Sequence, residues 1–256
     1  MGVYRAVVSS DWNECLAPCG PFDFIAFTHP DLGDRLETIF RRYTANTVSL
    51  GEAVDLLRGL LPRPISIEEM DAYLDASFAT YPGLSEWIEW CRSHDILFMI
   101  NTTGMVGYFQ RVFANGLLPT VPVLSAHPMI RFEGLPSDPA TIFDLLEIHD
   151  KPKNTREALR TFGITSGKVI VMGDSGGDGP HFEWGAGVGA LLIGSRTKPS
   201  LASFCENRGI TIDVRFGDAG EGGGAHGPSF MELTPYIEEY LLRCCLLYTS
   251  PSPRDS

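Results

Sequence analysis

The sequence predicts an α/β fold: a Rossmann-like parallel sheet flanked by helices, with a small helical cap inserted after the first strand. Three observations carry that expectation. Short apolar runs alternate with helical stripes through most of the 256 residues. The runs are nearly continuous, as strands buried on both faces require, and helices between them imply right-handed crossovers. From about Pro30 to Phe78 the texture is helical, with no intervening strand.

Val3–Ser10 reads as the first strand and delivers Asp11 to a loop that Pro18, Gly20 and Pro21 keep irregular. Asp31–Tyr43 carries a helical stripe of Leu32, Leu36, Ile39 and Phe40. Ser49 with Glu52, and Ser66 with Glu69, are capping-box signatures ahead of two further apolar helical faces. After Pro82-Gly83 the chain alternates. Leu84–His94 reads as helix, Ile96–Ile100 as strand, Met105–Ala114 as helix and Val121–Leu124 as a short strand. Pro139–Ile148 and Asn154–Phe162 read as helices, Lys168–Met172 and Gly189–Ile193 as strands, and Ile210–Val214 as a last strand. Gly217–Gly227, rich in Gly and acidic residues, reads as a mobile loop before a final helix over Phe230–Leu242. The expected organisation is a core of residues 1–22 and 82–244 and a cap of residues 23–81. Cys245 to Ser256 resembles the translation of a sequencing adapter; it is expected to be non-native and is set aside from fold reasoning.

Composition narrows the function classes. Hydrophobic residues make up 44% and charged residues 20%, as in soluble globular proteins. The formal charge of −12 disfavours nucleic acid and anionic membranes as partners. A small anionic substrate stays open, because local positive charge and a metal ion can outweigh the global field. No apolar run approaches the ~18–20 residues of a membrane span. No signal peptide is visible, and six irregularly spaced cysteines read as reduced thiols, so a cytoplasmic location is expected.

Four stretches carry chemistry. Asp11 follows the first strand, Thr102 and Thr103 follow the apolar run Ile96–Ile100, Lys151 precedes Pro152, and Gly173-Asp174-Ser175-Gly176-Gly177-Asp178 follows Lys168–Met172. In parallel sheets, ligands bind beyond the carboxyl ends of the strands, so one edge can gather all of them. A carboxylate, a hydroxyl, an ammonium and an acidic pair suit phosphoryl transfer assisted by a divalent ion.

In their order and context these stretches resemble the haloacid dehalogenase superfamily, in the phosphatase branch that includes phosphoserine phosphatase. The resemblance implies that Asp11 is the nucleophile that forms an aspartyl-phosphate. It implies that Thr102, with Thr103 as runner-up, donates to a phosphate oxygen. Lys151, with Lys153 as the alternative, would neutralise nucleophile and phosphoryl group. Asp11, Asp174 and the backbone carbonyl of Asn13 would ligate Mg²⁺, with Asp178 binding a metal-bound water or positioning Lys151. The implied partner is a small phosphorylated metabolite.

Asn13 departs from that pattern, because the family's phosphatases carry a second Asp there as general acid. An amide cannot transfer a proton at neutral pH. Three outcomes remain open: a substrate with a good leaving group, help from Glu14, or a protein that binds phosphate ligands with little turnover. The dehalogenase branch also lacks the second Asp, but it uses no metal, and the pair Asp174 and Asp178 argues for one. Trp12 reads as packing or as a pocket wall and His181 as a helix-start residue. Substrate choice is expected in the cap, at residues such as Phe22, Phe24, Arg41 and Arg42.

Overall fold

The computed structural model describes residues 4–44, 47–164, 168–217 and 227–246. Seven strands form one parallel sheet: β1 (Ala6–Ser10), β2 (Ile96–Met105), β3 (Val123–His127), β4 (Thr141–Asp144), β5 (Val169–Gly173), β6 (Leu191–Ser195) and β7 (Val214–Phe216). Their order across the sheet is β4-β3-β2-β1-β5-β6-β7. β1 is central, with Ser10 paired to Ile100 on one side and Met172 on the other. It is fully buried, which explains its continuous apolar sequence.

This order puts a switch point between β1 and β5. Successive crossovers move outward from β1 to β4, then return to β5 and move outward the other way. The loops after β1 and β5 therefore part to opposite sides, leaving a crevice where α/β proteins bind ligands. Asp11 and Asp174 are the first residues past the two flanking strands.

After β1 come four helices that precede Pro82: α1 (Asp23–Thr28), α2 (Gly33–Thr44), α3 (Leu50–Leu60) and α4 (Ile67–Ser77). Both capping boxes form, Ser49 with Glu52 and Ser66 with Glu69. The helix α1 has no counterpart in the sequence reading. The helices that follow are α5 (Leu84–Ser93), α6 (Val106–Ala114), α7 (Asp150–Phe162), α8 (Gly179–Gly187), α9 (Pro199–Asn207) and α10 (Thr234–Leu246). The loop read over Gly217–Gly227 and the tail from Cys245 fall largely at residues 218–226 and 247–256, outside the described residues. None of the described helices is long and apolar enough to cross a membrane.

The structure corrects several elements. The helix expected over Pro139–Ile148 is not formed. Thr141–Asp144 instead pairs with β3 as an edge strand, helped by β-branched Thr141 and Ile142. The Asp150 carboxylate then accepts hydrogen bonds from the Leu146 and Glu147 amides at 2.9 and 3.0 Å, which folds the rest into a turn ahead of α7. Strands β3, β6 and β7 lie further along the chain than expected. β2 runs to Met105, so Thr102 and Thr103 sit within the strand, at a register shift between Asn101 and Met105. The start of α8 agrees with the helix-start reading of His181, while its three glycines hide the rest from a propensity reading. At Gly185 a Cβ would come within 2.8 Å of Leu192, so the glycine permits close helix–sheet approach.

The helices α1–α4 are not an appendage. One apolar cluster joins Leu36, Leu57 and Met70 to Val8, Phe98 and Phe109. Two polar clamps add to it. Glu147 accepts from the Leu50 and Gly51 amides at 3.1 and 3.0 Å, capping the N-terminus of α3. Arg111 on α6 forms a two-pronged pair with Asp71 on α4, at 2.7 and 2.9 Å, and Asn115 donates to the same carboxylate. A double-mutant cycle of Arg111→Ala and Asp71→Ala, read by denaturant unfolding, is expected to give a coupling of about 1–3 kcal/mol. A coupling near zero would mean the pair contributes nothing to holding α4.

Candidate active site

The loop after β1 starts the site. The Asp11 amide donates to Met172 O on β5 at 3.0 Å, so the chain follows the sheet one residue past β1. The loop then turns on itself, with Leu16 N and Ala17 N bonded to Trp12 O. Trp12 is buried against Phe78, Tyr108 and Phe109 and anchors the turn by packing. Ser195 at the end of β6 donates to Cys15 O at 2.8 Å and ties the loop down.

Lys151 comes from the first turn of α7. Its ammonium lies 3.1 Å from Asp11 Oδ1 and 2.6 Å from Asp178 Oδ1, and the side chain is essentially buried. A polar network beneath the sheet edge holds that turn in place. The Asn101 amide donates to Lys151 O at 2.9 Å, to Ser9 Oγ and to Thr155 Oγ1, and Thr155 meets His181 at 3.0 Å. His181 is thus a buried structural residue, stacked on Trp184. Lys153, by contrast, is exposed and reaches only Asp150.

Asp178 is fully engaged. One oxygen takes the Lys151 ammonium, and the other accepts from the Asp174 and Ser175 amides at 3.0 and 3.2 Å. Gly173 makes room for it: a Cβ there would lie 2.4 Å from the Asp178 carboxyl carbon. Asp178 therefore both shapes the turn and positions Lys151.

Asp11, Asp174 and Asp178 offer oxygens within 4.8 Å of one another, all buried. Asp11 Oδ1 and both Asp174 oxygens are buried without a hydrogen-bond donor. Lys198 Nζ does lie 2.8 Å from Asp174 Oδ2 and also pairs with Glu14, but its contact with Asp174 is ionic, without hydrogen-bond geometry. Orphaned carboxylate oxygens in a buried cluster are what a hard divalent cation satisfies, so the donor set fits one. Burial, with Asp178 and Asp11 adding to it, pushes Asp174 up to about 9 in the absence of a cation. Burial would lower the Lys151 ammonium, but Asp11 and Asp178 more than reverse this and hold it well above its ordinary value.

Asp11, Lys151, Asp174 and Lys198 line a cavity of about 190 Å³. Glu14 also lines it, because residue 14 has left-handed backbone (φ 57°), which keeps its side chain on the same side as the site. Thr103 lines the cavity. Thr102 is fully buried, and its hydroxyl donates to Asn13 Oδ1 at 3.2 Å and accepts from the Gly104 amide. The Asn13 amide nitrogen donates to Cys19 O at 3.1 Å. Pro21, Ile148 and three residues of α2, Phe40, Tyr43 and Thr44, add to the lining, with the Tyr43 hydroxyl reaching Thr103. Burial pushes the Tyr43 phenol up to about 12, against the opposing pull of Lys151 and of the Thr103 hydroxyl.

The expected cap contacts need correction. Phe22 and Phe24 are buried in the core, while Arg41 is exposed and paired with Glu37 on its own helix; none of these, nor Arg42, lines the cavity. Lys198 and Ser200 were missed as site residues. They follow β6, as Asp11 and Asp174 follow β1 and β5, so the strand-end rule applied to β6 points to them. Phe40 and Tyr43 had no such signal, because which face of α2 meets the core is a tertiary matter.

No protein-family model matches the chain. No curated protein matches it either. Solved structures do. A phosphoserine phosphatase seen as a phospho-aspartyl intermediate analogue superposes with a TM-score of 0.63 at 17% identity, over 91% of this chain and 99% of that one. A substrate-bound phosphoserine phosphatase gives 0.64 at 16% identity, over 91% and 98%. A HAD family hydrolase from Salmonella enterica serovar Typhi gives 0.66 at 16% identity, over 92% of this chain and 72% of that one. At these identities the likeness shows the fold: the chain has the haloacid dehalogenase-type fold in its phosphoserine phosphatase-like form.

The orphaned carboxylates generate a prediction. Asp174 binds its proton up to about pH 9 when folded and only to about 3.8 when unfolded. Between those values the folded state holds the extra proton, so cation-free stability falls as pH rises. A divalent cation replaces that proton. Mg²⁺ is expected to raise Tm, by about 2.7 kcal/mol of stability at a hundredfold excess over Kd. The gain should be larger near pH ~8.5 than near ~6. A Tm indifferent to Mg²⁺ at both pH values would count against a cation site.

Proposed function

We propose that this protein is a Mg²⁺-dependent phosphohydrolase that transfers the phosphoryl group of a small phosphorylated metabolite to Asp11 and then to water. One observation carries the reading. Asp11 Oδ1 is a buried carboxylate oxygen without a hydrogen-bond donor, at the floor of a cavity, 3.1 Å from a buried ammonium. The fold shared with phosphoserine phosphatases supports it.

In this reading Mg²⁺ would be held by Asp11, Asp174 and the Asn13 carbonyl, and it would supply charge that lets two anions approach. Asp11 attacks phosphorus; a bond forms from its carboxylate oxygen, and the bond from phosphorus to the ester oxygen breaks. The leaving oxygen departs with the electron pair. Lys151 neutralises Asp11 and the transferring group, with Asp178 fixing its position. Thr103 donates to a phosphoryl oxygen from the cavity wall, and Thr102 holds the Asn13 side chain beside it. In the second half, water attacks phosphorus, the bond from phosphorus to the Asp11 oxygen breaks, and the water proton passes to Glu14, which pairs with Lys198. Inorganic phosphate leaves and Asp11 is regenerated. Asn13 offers no proton to the first leaving group, so substrates whose leaving group needs little protonation are favoured.

The Asn13 side chain also favours a second reading. Its amide is fixed by Cys19 O and by Thr102, an arrangement suited to binding a phosphate ligand with little turnover. Phosphate release from a phosphometabolite panel with Mg²⁺ separates the two. Under the hydrolase reading wild type releases phosphate and Asp11→Asn falls to background. Glu14→Gln is expected to slow turnover about 10²-fold while phosphorylation of Asp11, trapped by rapid quench, persists. A silent wild type that gains activity on Asn13→Asp would establish the binding reading instead.

A further inference from the structure

We propose that the ester cleaved here is an aryl phosphate, the monophosphate of an uncharged phenol-type alcohol, and not a phosphoamino acid. The inference rests on the phosphohydrolase reading of the same site and names its substrate class. Three independent features of the cavity lead to it.

The first is the uncharged part of the cavity lining, which the Tyr43 hydroxyl joins to the charged groups through Thr103. Phe40 and Tyr43 stand one helical turn apart on α2, with Pro21 and Ile148 beside them. This surface is aromatic and aliphatic, with hydroxyls at its margin, and it suits a flat apolar body. The cavity holds about 190 Å³. Larger ligands such as nucleotides need roughly 300 Å³ or more.

The second is charge. Among the described lining residues, the charged ones are Asp11, Glu14, Lys151, Asp174 and Lys198. Lys151 is taken by Asp11 and Asp178, and Lys198 by Glu14 and Asp174. The α2 wall contributes no cation, since Arg41 points to solvent and pairs with Glu37. The carboxylate of a phosphoamino acid would enter without a partner, beside an acidic floor.

The third is the leaving group. Asn13 cannot donate a proton to the departing oxygen. A phenol, with a pKa of about 10, leaves as its anion far more readily than an alkyl alcohol, whose pKa is nearer the ~15.7 of water. When Asp11 oxygen bonds to phosphorus and the aryl oxygen departs with the electron pair, the phenolate takes its proton from solvent.

The test is calorimetric titration of the Mg²⁺-loaded wild-type protein with three phosphonates, which bind but cannot be hydrolysed. Benzylphosphonate mimics phenyl phosphate, 2-amino-4-phosphonobutanoate mimics phosphoserine, and methylphosphonate reports the phosphoryl floor alone. Benzylphosphonate is expected to bind at least about tenfold tighter than methylphosphonate. The amino acid analogue is expected to bind no tighter than methylphosphonate. Phe40→Ala and, separately, Tyr43→Ala should shrink the benzyl-to-methyl ratio toward one. The proposal is overturned if the amino acid analogue binds most tightly, if the three bind alike, or if none binds. The wild-type order decides even where a variant fails to fold. Phosphate release from phenyl phosphate is read separately. Its absence sinks hydrolysis, whereas a wrong phosphonate order with release intact sinks only the aryl assignment.

Discussion

Everything at the site depends on one buried ammonium. The switch point between β1 and β5 brings Asp11, Asp174 and Asp178 together where water is excluded. Three ionised carboxylates in such a place repel one another and lose their hydration. Lys151 sits between Asp11 and Asp178, ion-paired to both, and makes the cluster tolerable. A lysine buried this deeply is itself costly unless paired, so neither side of the arrangement is stable alone. The Asn101, Ser9, Thr155 and His181 network is best understood as the support for that pairing: it fixes the first turn of α7 and hence the origin of the lysine side chain.

The compensation is incomplete. Lys151 and Lys198 bring two positive charges to a site that also holds Glu14, and three carboxylate oxygens of Asp11 and Asp174 remain without donors. A structure that leaves such oxygens orphaned in its interior is arranged for something that arrives from outside. The polar floor comes from the sheet edge and the apolar wall from α2. These two parts of the chain are held in register by Glu147, which caps α3, and by the Arg111–Asp71 pair.

Much of this was legible beforehand. The continuous apolar runs identify β1, β2 and β5, and the residues just past β1 and β5 are site residues for the same topological reason. The capping boxes at Ser49 and Ser66 are local chemistry and form as read. What failed was equally physical. Thr141–Asp144 is an edge strand only because β3 is there to pair with it. The glycines of α8 look like loop residues until Leu192 and Phe204 are seen pressed against them. Help from Glu14 was left open by the sequence, and its place in the cavity goes with a left-handed backbone that local pattern does not announce.

Local pattern alone specifies the parallel α/β architecture and brings Asp11, Lys151 and Asp174 to one edge of it, because strand burial and strand-end position are written in that pattern. The tertiary structure decided the rest. It showed that Asp178 is spent on Lys151, that Thr103 rather than Thr102 faces the cavity, and that Phe40 and Tyr43 form its wall. Those outcomes turn on which side of an element meets which neighbour, and that is set by packing between segments far apart in the chain.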